Sequence, residues 1–269
     1  MKIASYNIMS GGFNSYNNSD NKPQRLNLIV KAVNNLDADF VSLIDTFRWD
    51  ELFSVDELKS LFKYKHVYCI NLEDDRLQKL GHNNGITILT NCDVDRFETV
   101  RLFNRNAIKT TLNSLENKIN MYSVYLDDLS EDTRVKQVDS LIQSIDSTVP
   151  AVVMGDFNTF SIVDVPKVTQ IVNIMMTANP TIHNKLMPLF QEMQKGMVIR
   201  LFEENDFKDT NVNLYTTAPS PLFTLKGIPP ILRIDYILTR NLQNMNFKVY
   251  KDKFYDTVSD HYPISVEIM

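Results

Sequence analysis

The stretch Ala151-Val-Val-Met-Gly-Asp-Phe-Asn158 joins four consecutive apolar residues to a glycine and two polar side chains. The apolar run predicts a strand that is buried on both faces. Gly155 allows the backbone to turn sharply at the end of this strand. Asp156 and Asn158 are two residues apart, so their side chains point the same way if the chain stays extended. A carboxylate and an amide in this arrangement suit the holding of a water beside a phosphate, but Gly, Asp and Asn also form ordinary turns.

The composition limits the kind of protein that surrounds this stretch. Its 269 residues are 43% hydrophobic and 23% charged, which predicts one globular domain over residues 1–269. The formal net charge of −5 argues against tight binding to nucleic acid by charge alone. Cys69 and Cys92 give no disulfide framework, and the N-terminus has no apolar signal region, so we expect a cytoplasmic protein. The apolar runs are too short for a membrane span. We also expect a monomer.

Other apolar segments on either side of the opening stretch predict further strands and helices. The strand patterns cover residues 3–8, 39–44, 64–72, 85–90, 107–112, 119–126, 233–238, 247–250 and 264–268. Helical spacing covers residues 23–36, 49–62, 132–145 and most of 159–206. Because several strands follow one another without a helix between them, a layered α/β fold with mixed sheets is favoured over an all-parallel sheet.

Polar side chains recur at or just beyond the predicted strand ends. Together they offer oxygen ligands for a hard divalent cation and one histidine for acid–base work. Each one alone is more often structural, so it is the set that suggests a site. Its members are Asn7, Asp45, Asp156, Asn158, Asp235, Asp260 and His261.

The motifs that carry these residues resemble those of the endonuclease/exonuclease/phosphatase superfamily, which includes deoxyribonuclease I-like and exonuclease III-like proteins. The resemblance covers essentially the whole chain. It runs through Ser5-Tyr-Asn7, Asn83-Asn-Gly-Ile-Thr-Ile88, Gly155-Asp-Phe-Asn158, Arg233-Ile-Asp-Tyr-Ile237 and Ser259-Asp-His261. It implies a four-layer α/β sandwich, in which two mixed β-sheets pack face to face with helices outside. Residues 159–206 would then form a largely helical insertion in a single domain.

The resemblance also implies an activity and a set of roles. The protein would be a divalent-metal-dependent phosphodiesterase that hydrolyses its substrate by in-line attack of an activated water, using Mg²⁺ with Mn²⁺ as a possible substitute. Asp156 would align or deprotonate the water, and Asn158 would touch the phosphate. His261 would stabilise the developing charge on the phosphate, and Asp235 would orient His261.

The metal side of the site is where this sequence departs from the family pattern. Asp45 stands where the family has a metal-binding glutamate and is one methylene shorter, with Asn7 and Asp260 expected to support the metal. Tyr125 stands where many members have a histidine, although apurinic endonucleases and their exonuclease relatives carry a tyrosine at a comparable place. Tyr125 can therefore still donate a hydrogen bond to a phosphate oxygen.

Three functions remain open at this point. The first is a nuclease that acts on DNA or RNA, in endonucleolytic or exonucleolytic mode. The second is a phosphoesterase of the same fold that acts on a small molecule or a lipid. The third is a degenerate member that binds a partner and cleaves nothing, for which the shortened Asp45 is the argument.

Overall fold

The structure is a computed structural model that describes residues 1–16, 20, 22–113, 118–178, 180–221 and 230–269. Side chains are described throughout these ranges except at 171 and 173–186. The predicted insertion at 159–206 therefore includes one residue, 179, that lies outside the described part of the chain. Among the described residues, no helix is both long enough and apolar enough to cross a bilayer.

Strands and helices alternate irregularly along the chain. The strands are β1 (Lys2–Asn7), β2 (Phe40–Ile44), β3 (His66–Asn71), β4 (Gly85–Thr90), β5 (Val94–Leu102), β6 (Arg105–Asn113), β7 (Lys118–Tyr125), β8 (Ala151–Asp156), β9 (Lys208–Asp209), β10 (Asp235–Arg240), β11 (Asn244–Val249) and β12 (Ile264–Ile268). The helices are α1 (Leu26–Leu36), α2 (Trp49–Leu52), α3 (Val55–Phe62), α4 (Asp75–Lys79), α5 (Glu131–Ser144), α6 (Val165–Ala178), α7 (Pro180–Met193) and α8 (Met197–Glu203).

The strands form two mixed sheets of six strands each. The first has the order β11-β12-β1-β2-β4-β3, and the second has the order β5-β6-β7-β8-β10-β9. Each sheet contains one parallel pair, β1 with β2 and β7 with β8, and the other pairs are antiparallel. Because β1 and β12 come from opposite ends of the chain, the N- and C-terminal segments are joined in one sheet.

Three apolar layers hold the sheets and helices together, which confirms the four-layer α/β sandwich. The middle layer joins the facing surfaces of both sheets through residues such as Phe40, Ile88 and Val152. The outer face of the first sheet packs on α1 and α3, and that of the second sheet packs on α5 and α8. Burial of this area drives the assembly, since apolar surface removed from water stabilises by about 25 cal/mol per Å².

The predicted helix over 49–62 is in fact two helices. Phe53 is extended, and Ser54 begins α3 with a capping box, in which its side chain accepts from the Glu57 backbone N–H while the Glu57 carboxylate accepts from the Ser54 backbone N–H. The sequence pattern Ser-x-x-Glu carries this signal, so the break was open to prediction. Strand β5 was missed because most of its residues are partly or fully exposed and show no clean alternation.

Helices α6, α7 and α8 occupy most of 159–206, and a buried carboxylate ties this segment to the rest of the fold. Glu131 is 0% exposed. Its Oε1 accepts hydrogen bonds from the backbone N–H groups of Met197 (2.9 Å) and Val198 (3.2 Å) at the start of α8. Its Oε2 accepts from Thr159 Oγ1 (2.9 Å) and from Arg134 Nε (2.8 Å). One side chain therefore fixes the entry and the last helix of this segment against α5.

Gly155 is required for a different reason from the expected turn. It lies within β8, between Val124 of β7 and Tyr236 of β10. Its φ is 145°, and a Cβ there would lie 1.9 Å from the carbonyl oxygen of Val124. Glycine is therefore needed because the backbone of the neighbouring strand approaches too closely for any side chain.

Candidate active site

The predicted polar residues converge because of the strand directions. Asn7 ends β1, Asp45 follows β2, and Asp156 ends β8, so these three lie at the carboxyl ends of their strands. Asp235 begins β10 and is the register partner of Asp156, since β10 runs antiparallel to β8. His261 precedes β12, whose first residue pairs near the end of β1. Functional side chains from the two sheets therefore meet at one edge of the sandwich.

His261 lies among three aspartates. Its Nδ1 lies 2.8 Å from Asp235 Oδ2, and its Nε2 lies 3.8 Å from Asp156 Oδ2 and 3.9 Å from Asp260 Oδ1. The Asp235 contact fixes the ring, with Nε2 turned toward Asp156. This is the arrangement of a histidine that is oriented by one carboxylate and works beside a second one.

Burial and neighbouring charges shift the pKa values of both His261 and Asp156. Burial lowers the pKa of His261, but the charges of Asp235, Asp260 and Asp156 outweigh it, so the pKa is raised well above its usual value. Burial raises the pKa of Asp156 to about 7, although the His261 charge opposes this rise. The site thus pairs a carboxylate that ionises near neutrality with a histidine that keeps its proton, which suits a base and a cationic stabiliser.

The carboxylate of Asp156 is fixed by two donors. Asn7 Nδ2 donates to its Oδ2 at 2.9 Å, and the backbone N–H of Asn158 donates to its Oδ1 at 2.9 Å. Asn7 Oδ1 accepts from the Met9 backbone N–H at 3.0 Å. Asn7 therefore lies against Asp156, and its hydrogen bonds position the base.

Asn158 does not continue the strand, so the condition of an extended chain, under which its side chain would point the same way as that of Asp156, is not met. The strand ends at Asp156, and the φ of Asn158 is 50°, in the left-handed region that asparagine tolerates. Its Nδ2 donates to the carbonyl oxygen of Leu126 at 3.1 Å. The side chain therefore ties the loop after β8 to the loop after β7.

Tyr125 lies beside Asp156, because these residues are register partners at the ends of β7 and β8. Burial raises the pKa of its hydroxyl well above 10, and the charges of Asp45 and Asp156 add to this effect. The hydroxyl consequently stays protonated and can act as a donor. The Arg105 guanidinium lies 5.4 Å from the ring centre and holds the ring from the other side.

Asp45 is buried on the other side of the site and is held by three donors. Its Oδ2 accepts from the Ser10 backbone N–H (2.7 Å) and from the Tyr16 hydroxyl (2.5 Å), and its Oδ1 accepts from Asn84 Nδ2 (2.6 Å). Burial raises the pKa of Asp45 to about 7, while the Tyr16 hydrogen bond opposes the rise. The charges of Asp260 and His261 also act on it, so Asp45 belongs to the same site as the histidine.

Two neighbouring residues were not singled out from the sequence. Tyr16 comes from a polar loop that carries no recognisable signal, and its ring stacks on His82 with ring centres 4.5 Å apart. Asn84 stands immediately before the glycine-containing strand of the resemblance, which was the one available hint. Both line a pocket of about 180 Å³ that also includes His82 and Tyr125.

The oxygen atoms around Asp45 fit a hard divalent cation. Asn84 is 4% exposed, and its Oδ1 has no hydrogen-bond partner within the described part of the chain. A buried carboxylate beside an unpartnered amide oxygen provides the donor chemistry that Mg²⁺ and Mn²⁺ prefer. A second group, formed by Asp156, Asp235 and His261, has potential ligand atoms within 4.8 Å of one another. Because His261 carries a proton and is bonded to Asp235, we assign this second group to acid–base chemistry.

Residues 4–261, which contain every site residue named above, match the sequence model of the Endonuclease/Exonuclease/phosphatase family. The chain belongs to this family. Proteins of the endonuclease/exonuclease/phosphatase family are generally phosphoester hydrolases, and the chain carries their fold. No curated protein is similar enough in sequence to count as a match.

Solved structures of low sequence identity share this fold. A functionally unknown conserved protein from Enterococcus faecalis V583 is 17% identical, with a TM-score of 0.69 over 100% of this chain and 99% of that one. An AP endonuclease from Archaeoglobus fulgidus is 15% identical, with a TM-score of 0.64 and coverage of 99% and 98%. A mannosyl-6-phosphatase from Bacteroides thetaiotaomicron is 16% identical, with a TM-score of 0.59 and coverage of 100% and 99%. These three structures share the fold of this chain, and the two whose names state an activity differ in that activity.

Proposed function

We propose that the protein is a divalent-metal-dependent phosphodiesterase that cleaves nucleic acid by in-line attack of an activated water. The observation that carries the proposal is the line of side chains Asp235, His261 and Asp156, with Nδ1–Oδ2 and Nε2–Oδ2 separations of 2.8 and 3.8 Å. The raised pKa of His261 and the raised pKa of Asp156 support this assignment, because perturbed pKa values cluster at functional sites.

In this mechanism Asp156 accepts a proton from the water whose oxygen attacks phosphorus. Asn7 and the Asn158 backbone N–H hold the carboxylate, which keeps the attack direction fixed. His261 donates a hydrogen bond from Nε2 to a phosphate oxygen as negative charge grows, and Asp235 keeps the ring in place. The bond from phosphorus to the leaving oxygen then breaks, and that oxygen takes a proton from solvent water, while Asp156 returns its own proton to solvent.

Mg²⁺, or Mn²⁺ in its place, supplies charge stabilisation at the phosphate when it is bound. Asp45 would hold it, supported by Asp260 and Asn7. Asp260 is 23% exposed at its side chain, and its Oδ1 accepts from Ser259 Oγ at 3.2 Å. Tyr125 would donate to a phosphate oxygen, since its hydroxyl keeps its proton.

A small-molecule phosphoester is the second candidate substrate, and the pocket beside Asp45 favours it. The volume of about 180 Å³ suits one ring more than a nucleic-acid strand. Arg76 and Arg105 at this pocket are both paired with Asp128, so their charge is offset locally. The net charge of −5 points in the same direction.

A substrate panel with Mg²⁺ and with Mn²⁺ tests the proposal. The panel contains plain duplex DNA, abasic duplex DNA, single-stranded RNA, inositol phosphates and an aryl phosphodiester. We expect cleavage of at least one nucleic acid that weakens as salt is raised, because phosphate contacts are screened. Activity on inositol phosphates alone would select the second candidate. No turnover of any substrate would leave the degenerate binding protein as the answer.

The remaining properties that we propose concern the protein as a whole. Residues 1–269 act as one domain, for which the support is that Ile3 and Ile268 from its two ends share the middle apolar layer. Cys69 and Cys92 are free thiols, which supports a cytoplasmic location. We further propose that the protein acts as a monomer, which sedimentation of the purified chain would test.

A further inference from the structure

The side-chain amide of Asn84 has an orientation that its neighbour determines. Its Nδ2 lies 2.6 Å from Asp45 Oδ1 and 3.5 Å from the Tyr16 hydroxyl. An ionised carboxylate only accepts hydrogen bonds. The amide nitrogen is therefore the donor in the contact with the Asp45 carboxylate. The second polar atom of the amide is Oδ1, and Asn84 lines the pocket that also includes Tyr16, His82 and Tyr125.

This oxygen is buried without a partner. Asn84 is 4% exposed, and Oδ1 accepts no hydrogen bond from any group in the described part of the chain. Leaving a buried acceptor unsatisfied is costly, so such an atom in a folded protein requires an explanation, and a bound ion is one that its chemistry allows. A leucine of similar size would avoid this cost, so the presence of an amide at this position suggests that its oxygen has a function.

The backbone around Asn84 is rigid, as a ligand-holding segment should be. Three successive carbonyl oxygens, those of residues 83 to 85, accept hydrogen bonds from the loops that follow β2 and β3. The donors are the backbone N–H groups of Arg48 (2.8 Å, to Asn83), Leu72 (2.9 Å, to Asn84) and Thr46 (3.0 Å, to Gly85). The backbone at Asn84 and on both sides of it is consequently fixed before any ligand arrives.

The carboxylate next to this amide forms no ion pair within the described part of the chain. Asp45 is 2% exposed, and the hydrogen bonds that it accepts there come from uncharged donors, namely the Ser10 backbone, Tyr16 and Asn84. A buried carboxylate without a paired cation is unfavourable unless it coordinates a metal or takes up a proton. Asp45 and Asn84 therefore both offer oxygen atoms that can coordinate a hard cation.

We propose that Asn84 Oδ1 joins Asp45 in holding the divalent cation, so that an aspartate–asparagine pair forms the metal side of the site. The inference rests on the proposed metal-dependent function and adds a residue to it. The amide serves twice: its nitrogen orients the carboxylate, and its oxygen completes the ligand set.

The test measures cation binding by the full chain without any substrate. Free Mn²⁺ is followed by its room-temperature electron paramagnetic resonance signal, and Mg²⁺ binding is followed by calorimetry. Asn84→Leu removes both polar atoms at nearly constant volume, whereas Asn84→Asp keeps an oxygen and loses the donor. Asn83→Leu is the matched control, because the Asn83 side chain bonds to Glu51, outside the site.

We expect Asn84→Leu to raise the dissociation constant for Mn²⁺ at least tenfold, since loss of residues that support a metal site typically lowers the affinity by about 10–100-fold. Asn84→Asp should bind at least as tightly as the wild type, and Asn83→Leu should lie within twofold of it. Wild-type affinity in Asn84→Leu would overturn the proposal. So would Asn84→Asp binding as weakly as Asn84→Leu, because the nitrogen alone would then matter. If the leucine variant does not fold, Asn84→Ser is judged by the same tenfold criterion.

These outcomes separate the inference from the proposed function. A wild-type chain that hydrolyses a phosphodiester, combined with unchanged affinity in Asn84→Leu, overturns the inference alone. A wild-type chain that binds Mn²⁺ with the expected variant pattern but hydrolyses nothing overturns the function alone. Absence of Mn²⁺ binding by the wild type overturns the inference and the metal dependence together.

Discussion

Replacing Asp45 by asparagine removes a carboxylate whose ionisation is opposed by burial. The substitution keeps the shape of the side chain, and its new oxygen can still accept from the Ser10 backbone and Tyr16. The Asn84 amide can turn over, so that its unpartnered oxygen accepts from the new amide nitrogen. We therefore expect the variant to fold but to lose cation binding at position 45.

The size of the effect follows from the pKa of Asp45, which burial raises from its usual value of 3.8 to about 7 in the folded protein. A raised carboxyl pKa means that the folded state binds the proton more tightly than the unfolded state. Stability from this group is therefore present at low pH and is lost as pH rises from about 4 to about 7. Three pKa units correspond to about 4 kcal/mol, of which about 2.5 kcal/mol falls between pH 5 and pH 8.

The assay is urea unfolding of both proteins in chelator at pH 5 and pH 8. The wild type should lose about 2.5 kcal/mol more free energy of unfolding over this range than Asp45→Asn does. Asp156 contributes equally to both proteins, so its own raised pKa cancels in the difference. Addition of Mg²⁺ at a hundredfold excess over its dissociation constant should restore about 2.7 kcal/mol to the wild type at pH 8 and nothing to the variant.

Equal pH dependence in the two proteins would refute the reasoning, because Asp45 would then ionise as easily in the folded as in the unfolded chain. A difference in chelator that Mg²⁺ does not remove would support a buried carboxylate but contradict the cation. The measurement thus separates the electrostatics of Asp45 from its proposed role.

Three further predictions concern the reaction and the insertion. Asp156→Asn and His261→Ala should each lower the hydrolysis rate by about 10²–10⁴ without changing the circular dichroism spectrum. The substitution Asp139→Asn at an exposed position should leave the rate at the wild-type level. A near-wild-type rate in either site variant would disprove the assignment. The value of kcat/KM should rise with pH through about 7, because Asp156 must lose its proton to act as the base while His261 keeps its own; a flat profile from pH 6 to pH 8 would exclude Asp156 as that base. Glu131→Ala should cost about 3–5 kcal/mol in urea unfolding, since it leaves the buried Arg134 without its carboxylate, and a loss below about 1 kcal/mol would show that the segment is held by other contacts.

Much of the site could be predicted from the sequence because its residues stand where apolar runs stop. Asp45 and Asp156 follow or end buried strands, and that local pattern predicts an exposed edge with polar side chains. The Gly155-Asp-Phe-Asn158 and Ser259-Asp-His261 motifs then indicated the family, which residues 4–261 confirm. Periodicity also predicted most of the strands, since a strand buried on both faces leaves a continuous apolar run, whereas their arrangement in two sheets was implied by the family resemblance.

Errors arose where local pattern carried little information. Strand β5 packs few of its side chains, so its sequence lacks alternation. The capping box at Ser54 was recognisable in the sequence, but the apolar spacing across residues 49–62 led to the prediction of one longer helix. Gly155 was correctly noticed, yet the reason for it is the Val124 carbonyl on another strand, which only the sheet pairing reveals.

Hydrogen-bond partners were decided by the tertiary structure alone. The sequence determined that Asp45, Asp156 and His261 would lie at strand ends or next to strands, because burial and extension are local properties of the chain. It did not determine that Asn7 would serve Asp156, 149 residues away, or that Tyr16 and Asn84 would enclose Asp45. Those contacts depend on how two sheets pack and on where loops from distant segments cross. The physical reason is that a hydrogen bond requires a particular distance and direction between two groups, and only the packed fold supplies both.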